Sequence, residues 1–327
     1  MYKVLITTVP FASVDPSPLE LLDRAGVEYL INPMGRKLKE AELIEMVSDF
    51  DVLIAGTETI SDQVMSAATK LKLISRVGVG LDGVDLIAAH NRNIKVSYTP
   101  EAPAPAVAEL TIGLMLSLLR SIHVANIEMH RGVWHRYFGR RISEVTIGVI
   151  GAGRIGSKVI QHLLQLGCRH ILVNDIQDNL DLSAKASVEI TNKDEIYRRS
   201  DIITLHVPLT MGTKGMISEN ELSMLRQGAM IINTSRGGIV DERALAEMLT
   251  NGCIGGAAMD VFEQEPYEGP LSKIENCILT SHMGSMSIDC RSNMEKEATQ
   301  EAIRFITGQQ LKCLVPLGEY EIQRRGL

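Results

Sequence analysis

Short apolar runs rich in β-branched residues recur along the chain and alternate with stretches of helical character. Continuous runs of this kind are typical of strands that are buried on both faces, as in a parallel sheet covered by helices. The alternation therefore predicts an α/β fold with parallel sheets. The runs occupy residues 4–6, 52–54, 73–74, 94–96, 147–150, 171–173, 202–205 and 230–232.

The length and the order of these runs predict two domains. The chain has 327 residues, and a domain typically takes about 100 to 200 residues. Prolines between residues 100 and 105 interrupt the pattern before a long helical segment that we expect over residues 104–131. A last amphipathic helix, over about residues 289–307, has no strand after it, so we expect it to return to the first domain. The predicted domains are residues 1–99 with 289–327, and residues 100–288.

Charge and composition argue against several classes of partner. The formal net charge of −7 disfavours nucleic acids and anionic membranes, because both are themselves negative. The five cysteines form no CxxC pair, which predicts reduced thiols and neither a disulfide framework nor a bound metal. The most apolar segment, residues 110–119, is short of the roughly 20 residues that span a bilayer, and no signal peptide is visible. We therefore expect a cytoplasmic protein.

A glycine-rich loop, Gly151-Ala-Gly153-Arg-Ile-Gly156, lies between an apolar run and a helical pattern. In that context the glycines permit a tight turn, close approach of the backbone to a pyrophosphate, and close packing of helix on strand. Asp175 follows the next strand, about 20 residues further on, where a carboxylate can bind ribose hydroxyls and repel a 2′-phosphate. The pattern favours NAD over NADP. A structural turn and a strand cap are the alternative interpretation.

Three charged or titratable residues follow successive strand-like runs, namely Arg236, Glu265 and His282. The ends of parallel strands face one crevice, so these residues are candidates for one site. Together with the segments at residues 75–82 and 106–110, they resemble the D-2-hydroxyacid dehydrogenase family over nearly the whole chain. The resemblance implies a Rossmann-type NAD-binding domain and a flavodoxin-like substrate domain. It also implies hydride transfer between NAD(H) and a small D-2-hydroxy acid or 2-keto acid, with phosphoglycerate-like substrates as one candidate.

The chemistry of that reaction explains the three residue types. The guanidinium of Arg236 can bind a substrate carboxylate and polarise the neighbouring carbonyl. The imidazole of His282 can give a proton to the carbonyl oxygen in one direction and remove it in the other. Glu265 beside that ring would favour its charged form and fix its orientation.

The resemblance extends to further cofactor and substrate contacts. Val79 and Gly80 are expected to hold the substrate carboxylate through backbone N–H groups. Arg76 is interpreted either as a ligand for a second anionic group or as an exposed loop arginine. His206 is interpreted either as a cofactor contact or as a structural histidine. The other expected cofactor contacts are Arg154, Ile155, Pro208, Thr213, Thr234, Ser235 and Asp260, the last of which would orient the nicotinamide.

Some features depart from the family pattern or leave alternatives open. Ser281 replaces the proline that often precedes the family's histidine, and residues 142–146 keep only part of the usual lead into the glycine loop. A NAD-sensing, corepressor-like protein with little turnover is the alternative function, and formate or phosphite oxidation is a variant within the fold. The apolar helix at residues 106–119 lacks a polar face, so we expect it to be buried on all sides. The resemblance implies a homodimer at this helix. Because the sequence ends at residue 327, we expect no C-terminal regulatory domain of the kind that some members of the family carry.

Overall fold

The computed structural model describes residues 2–177 and 185–325 and divides into two compact units. One unit is formed by Met1–Pro103 and Met286–Leu327, and the other by Ala104–Ser285. Each contains one sheet whose neighbouring described strands are all parallel. The predicted α/β class with two doubly wound sheets is confirmed. The division of roles between a substrate domain and a dinucleotide domain stays a prediction.

The strands are β1 (Lys3–Ile6), β2 (Glu28–Ile31), β3 (Val52–Ala55), β4 (Leu73–Arg76), β5 (Lys95–Ser97), β6 (Thr146–Ile150), β7 (His170–Asn174), β8 (Val188–Ile190), β9 (Ile202–Leu205), β10 (Met230–Asn233), β11 (Gly256–Met259) and β12 (Cys277–Leu279). The α-helices are α1 (Ser17–Arg24), α2 (Glu40–Met46), α3 (Asp62–Ala67), α4 (Leu86–Asn91), α5 (Pro103–Leu119), α6 (Ile122–His130), α7 (Arg154–Gln165), α8 (Lys193–Arg199), α9 (Glu219–Ser223), α10 (Glu242–Thr250), α11 (Ile288–Ile306) and α12 (Leu317–Arg325). Short 3-10 helices lie at Val47–Asp49, Ile142–Glu144 and Pro270–Lys273.

The first unit has a five-stranded sheet in the order β2-β1-β3-β4-β5, which is the flavodoxin-like order. Strands β3 and β4 are buried along their whole length, because helices cover both faces. The returning helix α11 packs against β3 and β4, and Ser75 donates a hydrogen bond to the carbonyl of Ala298 at 2.8 Å. The segment after α11 adds an antiparallel bridge between Leu314 and Ser97, which the sequence did not predict.

The second unit has a seven-stranded sheet in the order β12-β11-β10-β9-β6-β7-β8. When β6 is taken as the first strand, the order matches the Rossmann order 3-2-1-4-5-6, and β12 is one further strand at the edge. Two apolar clusters fill the two faces, one around Val149 and Ile160 and the other around Ile203 and Leu245. The sheet therefore presents the carboxyl ends of β6, β9, β10, β11 and β12 side by side along one edge.

Four strands have weak sequence signals, namely β2, β8, β11 and β12. The first two are edge strands. The residues of β2 alternate between exposed and half-buried positions, and those of β8 are mostly exposed. Strand β11 has the sequence Gly-Ala-Ala-Met and lacks β-branched residues, yet it is fully buried. Its mostly small side chains suit an interior position in the sheet, where burial outweighs intrinsic β-propensity.

The long helix predicted over residues 104–131 is wrong as a single element. Ser121 has a left-handed backbone with φ 49°, and it separates α5 from α6, which are bent by 66°. Helix α5 is also not buried on all sides, because Leu110, Ile112 and Leu116 are only half-buried. Among the described residues no single helix is long and apolar enough to cross a membrane, although α5 and α6 together meet that test on length and composition.

Candidate active site

The glycine loop connects β6 to α7 and is shaped by close backbone contacts. Gly151 has φ +91°, and a side chain there would collide with the backbone of His206. A side chain on Gly156 would collide with the carbonyl of Gly151, so glycine is required at both positions. A Cβ on Gly153 would meet no heavy atom within 4 Å. Gly153 is the N-cap of α7 and offers no side-chain cap, which leaves the first N–H groups of the helix for a phosphate.

Asp175 is tied directly to this loop. Its Oδ2 accepts a hydrogen bond from the backbone N–H of Ala152 at 2.5 Å, and its Oδ1 accepts one from Gln177 at 2.8 Å. The carboxylate is half-buried, so part of it faces outward at the end of β7. Together with the open space beside Gly153, this arrangement fits the ribose and pyrophosphate of a dinucleotide.

His206 lies after β9, against the glycine loop. One ring nitrogen, Nε2, is 2.9 Å from the hydroxyl of Thr204, while Nδ1 is buried and has no hydrogen-bond partner. Burial lowers the pKa of His206 to about 3, so the ring is neutral at physiological pH. Its unsatisfied Nδ1 is a polar atom that a ligand at this edge of the sheet could satisfy, which also fits a bound cofactor.

His282 and Glu265 form a direct pair beyond the ends of β12 and β11. The Nδ1 atom of His282 lies 2.9 and 3.1 Å from the two carboxylate oxygens of Glu265. The backbone N–H of Phe262 donates to Glu265 Oε1 at 3.1 Å, which fixes the carboxylate. The side chains remain partly accessible, at 33% for His282 and 26% for Glu265. Pairing through Nδ1 directs Nε2 away from the carboxylate, as a ring that exchanges protons with a ligand requires.

Asp260 organises the turn that carries His282. Its Oδ1 accepts hydrogen bonds from the Thr280 hydroxyl at 2.6 Å and the Met283 N–H at 2.9 Å, and its Oδ2 accepts one from Gly284 at 2.9 Å. His282 itself has φ 52°, a conformation that costs free energy for a residue other than glycine. The buried carboxylate of Asp260 therefore holds the histidine in a strained geometry. Its predicted contact with nicotinamide stays a prediction.

Arg236 follows β10, which lies beside β11 in the sheet. The amide of Asn233 shapes the loop: its Oδ1 accepts from the N–H and hydroxyl of Ser235, and its Nδ2 donates to the carbonyl of Arg236 at 2.8 Å. Arg236 Nη1 donates to the Ser235 carbonyl at 2.7 Å. A side chain on Gly237 would collide with Phe262, so the loops after β10 and β11 are in close contact. Sequence reasoning missed this role of Asn233. The available signal was an asparagine at the end of a strand-like run, where its side chain can form an Asx turn with the residues that follow.

Other predicted cofactor residues lie along the same edge. Thr234 is buried and its hydroxyl is 2.8 Å from that of Thr111 on α5. Thr213 donates to the carbonyl of Pro208 at 2.6 Å and thereby closes the loop after β9. Arg154 and Ile155 occupy the first turn of α7.

Glu242, at the start of α10, was not predicted. Its Oε1 accepts a hydrogen bond from the N–H of Glu263 at 2.8 Å, in the loop that carries Glu265. Burial, together with the neighbouring carboxylates of Glu263 and Glu265, raises the pKa of Glu242. No sequence motif marks this residue, because its position depends on how α10 meets the loop.

The predicted substrate residues Arg76, Val79 and Gly80 belong to the first unit. Arg76 ends β4 and is only 7% exposed, so its interpretation as an exposed loop arginine is wrong. Its Nη1 donates to the carbonyl of Val77 at 2.6 Å. Gly78 has φ +137°, and its backbone N–H donates a hydrogen bond to the hydroxyl of Thr99 at 2.8 Å. Val79 and Gly80 follow in a half-buried loop.

Known proteins are similar to this chain in both sequence and fold. Residues 112–284 match the family model described as D-isomer specific 2-hydroxyacid dehydrogenase, NAD binding domain. A D-3-phosphoglycerate dehydrogenase of Methanocaldococcus jannaschii is 37% identical over 95% of this chain, and the chain spans 57% of that protein's length. A glyoxylate reductase of Thermofilum pendens is 38% identical over 84% of both chains.

A solved structure of a Thermus thermophilus protein superimposes with a TM-score of 0.87 and 30% identity, covering 96% of this chain and 100% of its own. The chain therefore belongs to the D-isomer specific 2-hydroxyacid dehydrogenase family. The predicted family and the predicted cofactor class, NAD, are confirmed at this level. The named relatives are oxidoreductases, which supports the enzyme prediction and gives no support to the NAD-sensing alternative.

Proposed function

We propose that the chain catalyses reversible hydride transfer between NAD(H) and a small 2-keto acid, with the D-2-hydroxy acid as the reduced product. The observation that carries this proposal is the pairing of His282 Nδ1 with both oxygens of Glu265, at the sheet edge that also carries the glycine loop. A proton donor, a fixed cation and a dinucleotide site on one edge are the parts that such a reaction needs.

NAD(H), when bound, supplies or accepts the hydride. The glycine loop and Asp175 would hold its phosphates and ribose. Arg236 would bind the substrate carboxylate and polarise the carbonyl, because its guanidinium stays charged at any physiological pH. His282 Nε2 would donate a proton to the carbonyl oxygen as negative charge develops there, and in the reverse direction it would remove that proton. Glu265 would stabilise the imidazolium and keep Nε2 aimed at the substrate.

The substrate class is proposed to be small anionic keto acids. The names of the relatives point to glyoxylate and phosphoglycerate-type compounds. We further propose a cytoplasmic homodimer. The half-buried apolar side chains of α5 offer a face that a second copy can cover, and the five cysteines are free thiols, as expected in a reducing compartment.

Oxidation of NADH with a panel of keto acids tests the activity. We expect turnover with at least one of glyoxylate, pyruvate, hydroxypyruvate and phosphohydroxypyruvate, and loss of that turnover in Arg236→Gln. Arg243→Gln, at an exposed arginine in the same unit, is the matched control and should retain activity. An absence of NADH oxidation with all four acids, in protein that binds NADH, would refute the proposal. Sedimentation equilibrium of the same sample tests the dimer.

A further inference from the structure

A cavity of about 390 Å³ lies at the amino edge of the second unit's sheet, opposite to the edge that carries the candidate active site. Thr146 begins β6, His170 begins β7, and Val188 begins β8, and all three line it. The proposed activity uses none of its residues. Its volume lies within the range of about 300 to 1,000 Å³ that small-molecule sites occupy.

Four arginines from three separate parts of the chain line this cavity: Arg169, Arg198, Arg199 and Arg226. Arg169 precedes β7, Arg198 and Arg199 end α8, and Arg226 lies in the connection before β10. Among the lining residues that the structure describes, Glu189 alone carries a carboxylate. This concentration of positive charge runs against the chain's net charge of −7.

Two of the arginines are neutralised by carboxylates and two are not. Arg199 binds both oxygens of Glu189 at 2.7 Å, and Arg226 contacts Asp201 at 3.3 Å. Arg169 and Arg198 pair with no carboxylate in the part of the chain that the structure describes. Stabilisation of a helix C-terminus by basic residues explains arginines on α8, but it does not explain why arginines from two other segments converge on the same cavity.

Ile171, Leu172 and Val188 lie on the inner side of the cavity but are themselves buried, so the arginines dominate what a ligand can reach. Guanidinium groups bind phosphate oxygens through paired, charge-assisted hydrogen bonds. From these observations we propose that the cavity binds the phosphate group of a small molecule, separate from the candidate active site.

Isothermal titration calorimetry with glycerol 3-phosphate, inorganic phosphate and glycerol tests the proposal. We expect glycerol 3-phosphate and inorganic phosphate to bind, because both carry the phosphate oxygens that the arginines recognise, and glycerol not to bind. Arg169→Gln and Arg198→Gln should each weaken the binding of glycerol 3-phosphate about tenfold, which is a typical effect of losing one charge-assisted hydrogen bond. Binding of neither phosphate compound, or equally strong binding of glycerol, would overturn the proposal.

Control variants distinguish this cavity from other sites. Arg24→Gln changes an exposed arginine of the first unit that pairs with Glu20 and should leave binding unchanged. Arg236→Gln should also leave it unchanged, and loss of binding there would place the probe in the candidate active site and overturn the proposal. Arg198→Glu reverses the charge at the exposed end of α8 and should abolish binding, while the thermal midpoint falls only slightly because the helix end loses a favourable charge. Undiminished binding in the double variant of Arg169→Gln and Arg198→Gln would equally refute the site.

Discussion

Ionisable side chains lie beyond the strand ends in both units, but they are used differently. In the first unit Glu58 is 2% exposed and accepts hydrogen bonds from the Gly56 N–H at 3.0 and 3.1 Å and from the Thr7 hydroxyl. In the second unit Glu265 and His282 remain about a quarter to a third exposed. The same type of sheet thus carries one set of charges that holds backbone in place and another that is accessible to a ligand.

A buried ion pair in the first unit shows this structural use most clearly. Arg291 and Glu295 on α11 are 8% and 2% exposed and bind each other. Arg291 also donates to the Thr8 hydroxyl at 2.9 Å and to the Pro10 carbonyl, and Glu295 accepts from the N–H of Ala12 at 2.7 Å. The pair therefore fixes the loop after β1. Whether an ionisable group is structural or chemical depends on whether its hydrogen-bonding capacity is already used.

The largest effect is expected when the accessible pair loses its histidine. His282→Asn removes the proton donor, and asparagine tolerates the left-handed backbone at this position. We expect the turnover number to fall about 10³-fold, while the dissociation constant for NADH and the thermal midpoint change little. Steady-state kinetics and NADH fluorescence titration measure the two quantities. If the variant turned over at the wild-type rate, the contrast between the units would fail.

The buried pair should show the opposite behaviour. Arg291→Met leaves Glu295 as an unpaired buried charge and should lower the free energy of unfolding of the first unit by about 3 kcal/mol. The double variant Arg291→Met, Glu295→Leu should recover much of that loss because no charge stays buried. Denaturant unfolding measures both. Equal stability of the single variant and the wild type would show that the pair does not hold the loop.

Removing the carboxylate partner of the histidine should give an intermediate effect. Glu265→Gln keeps a hydrogen-bond acceptor for Phe262 but no longer stabilises an imidazolium, so kcat/KM for keto-acid reduction should fall about 10- to 100-fold. Glu265→Asp, which keeps a carboxylate, should retain more of the rate than Glu265→Gln, and steady-state kinetics measures both. Equal losses in the two variants would assign Glu265 a purely structural role.

The smallest effect concerns His206, a buried group on the accessible edge. Its folded-state pKa of about 3 lies below the usual value near 6.5, so the unfolded chain binds a proton first as the pH falls. The associated stability is complete above about pH 6.5 and is lost progressively towards pH 3, by up to 1.4 kcal/mol per pH unit. His206→Gln should flatten the fall of the thermal midpoint between pH 6.5 and 4.5. Parallel curves for the wild type and the variant would show that His206 does not contribute.

The positions of most strands and the main site motifs follow from local sequence patterns, but the order of the strands in each sheet does not. Each of the eight β-branched runs overlaps a strand, because continuous apolar runs are required where both faces of a sheet are buried. Strand β11, with its sequence Gly-Ala-Ala-Met, shows no such signal, since its position is set by neighbouring strands. The break at Ser121 was missed for the same reason: its left-handed φ of 49° is imposed by packing rather than by residue type.

The sequence by itself determined the fold class, the glycine loop and the identities of Arg236, Glu265 and His282, because these depend on local spacing and on residue chemistry. Only the tertiary structure decided that Asp260 holds the histidine turn, that Arg76 is buried, and that the arginines around Arg169 and Arg198 surround one cavity. These facts depend on contacts between residues far apart in the chain, and no local pattern encodes the free energy of such contacts.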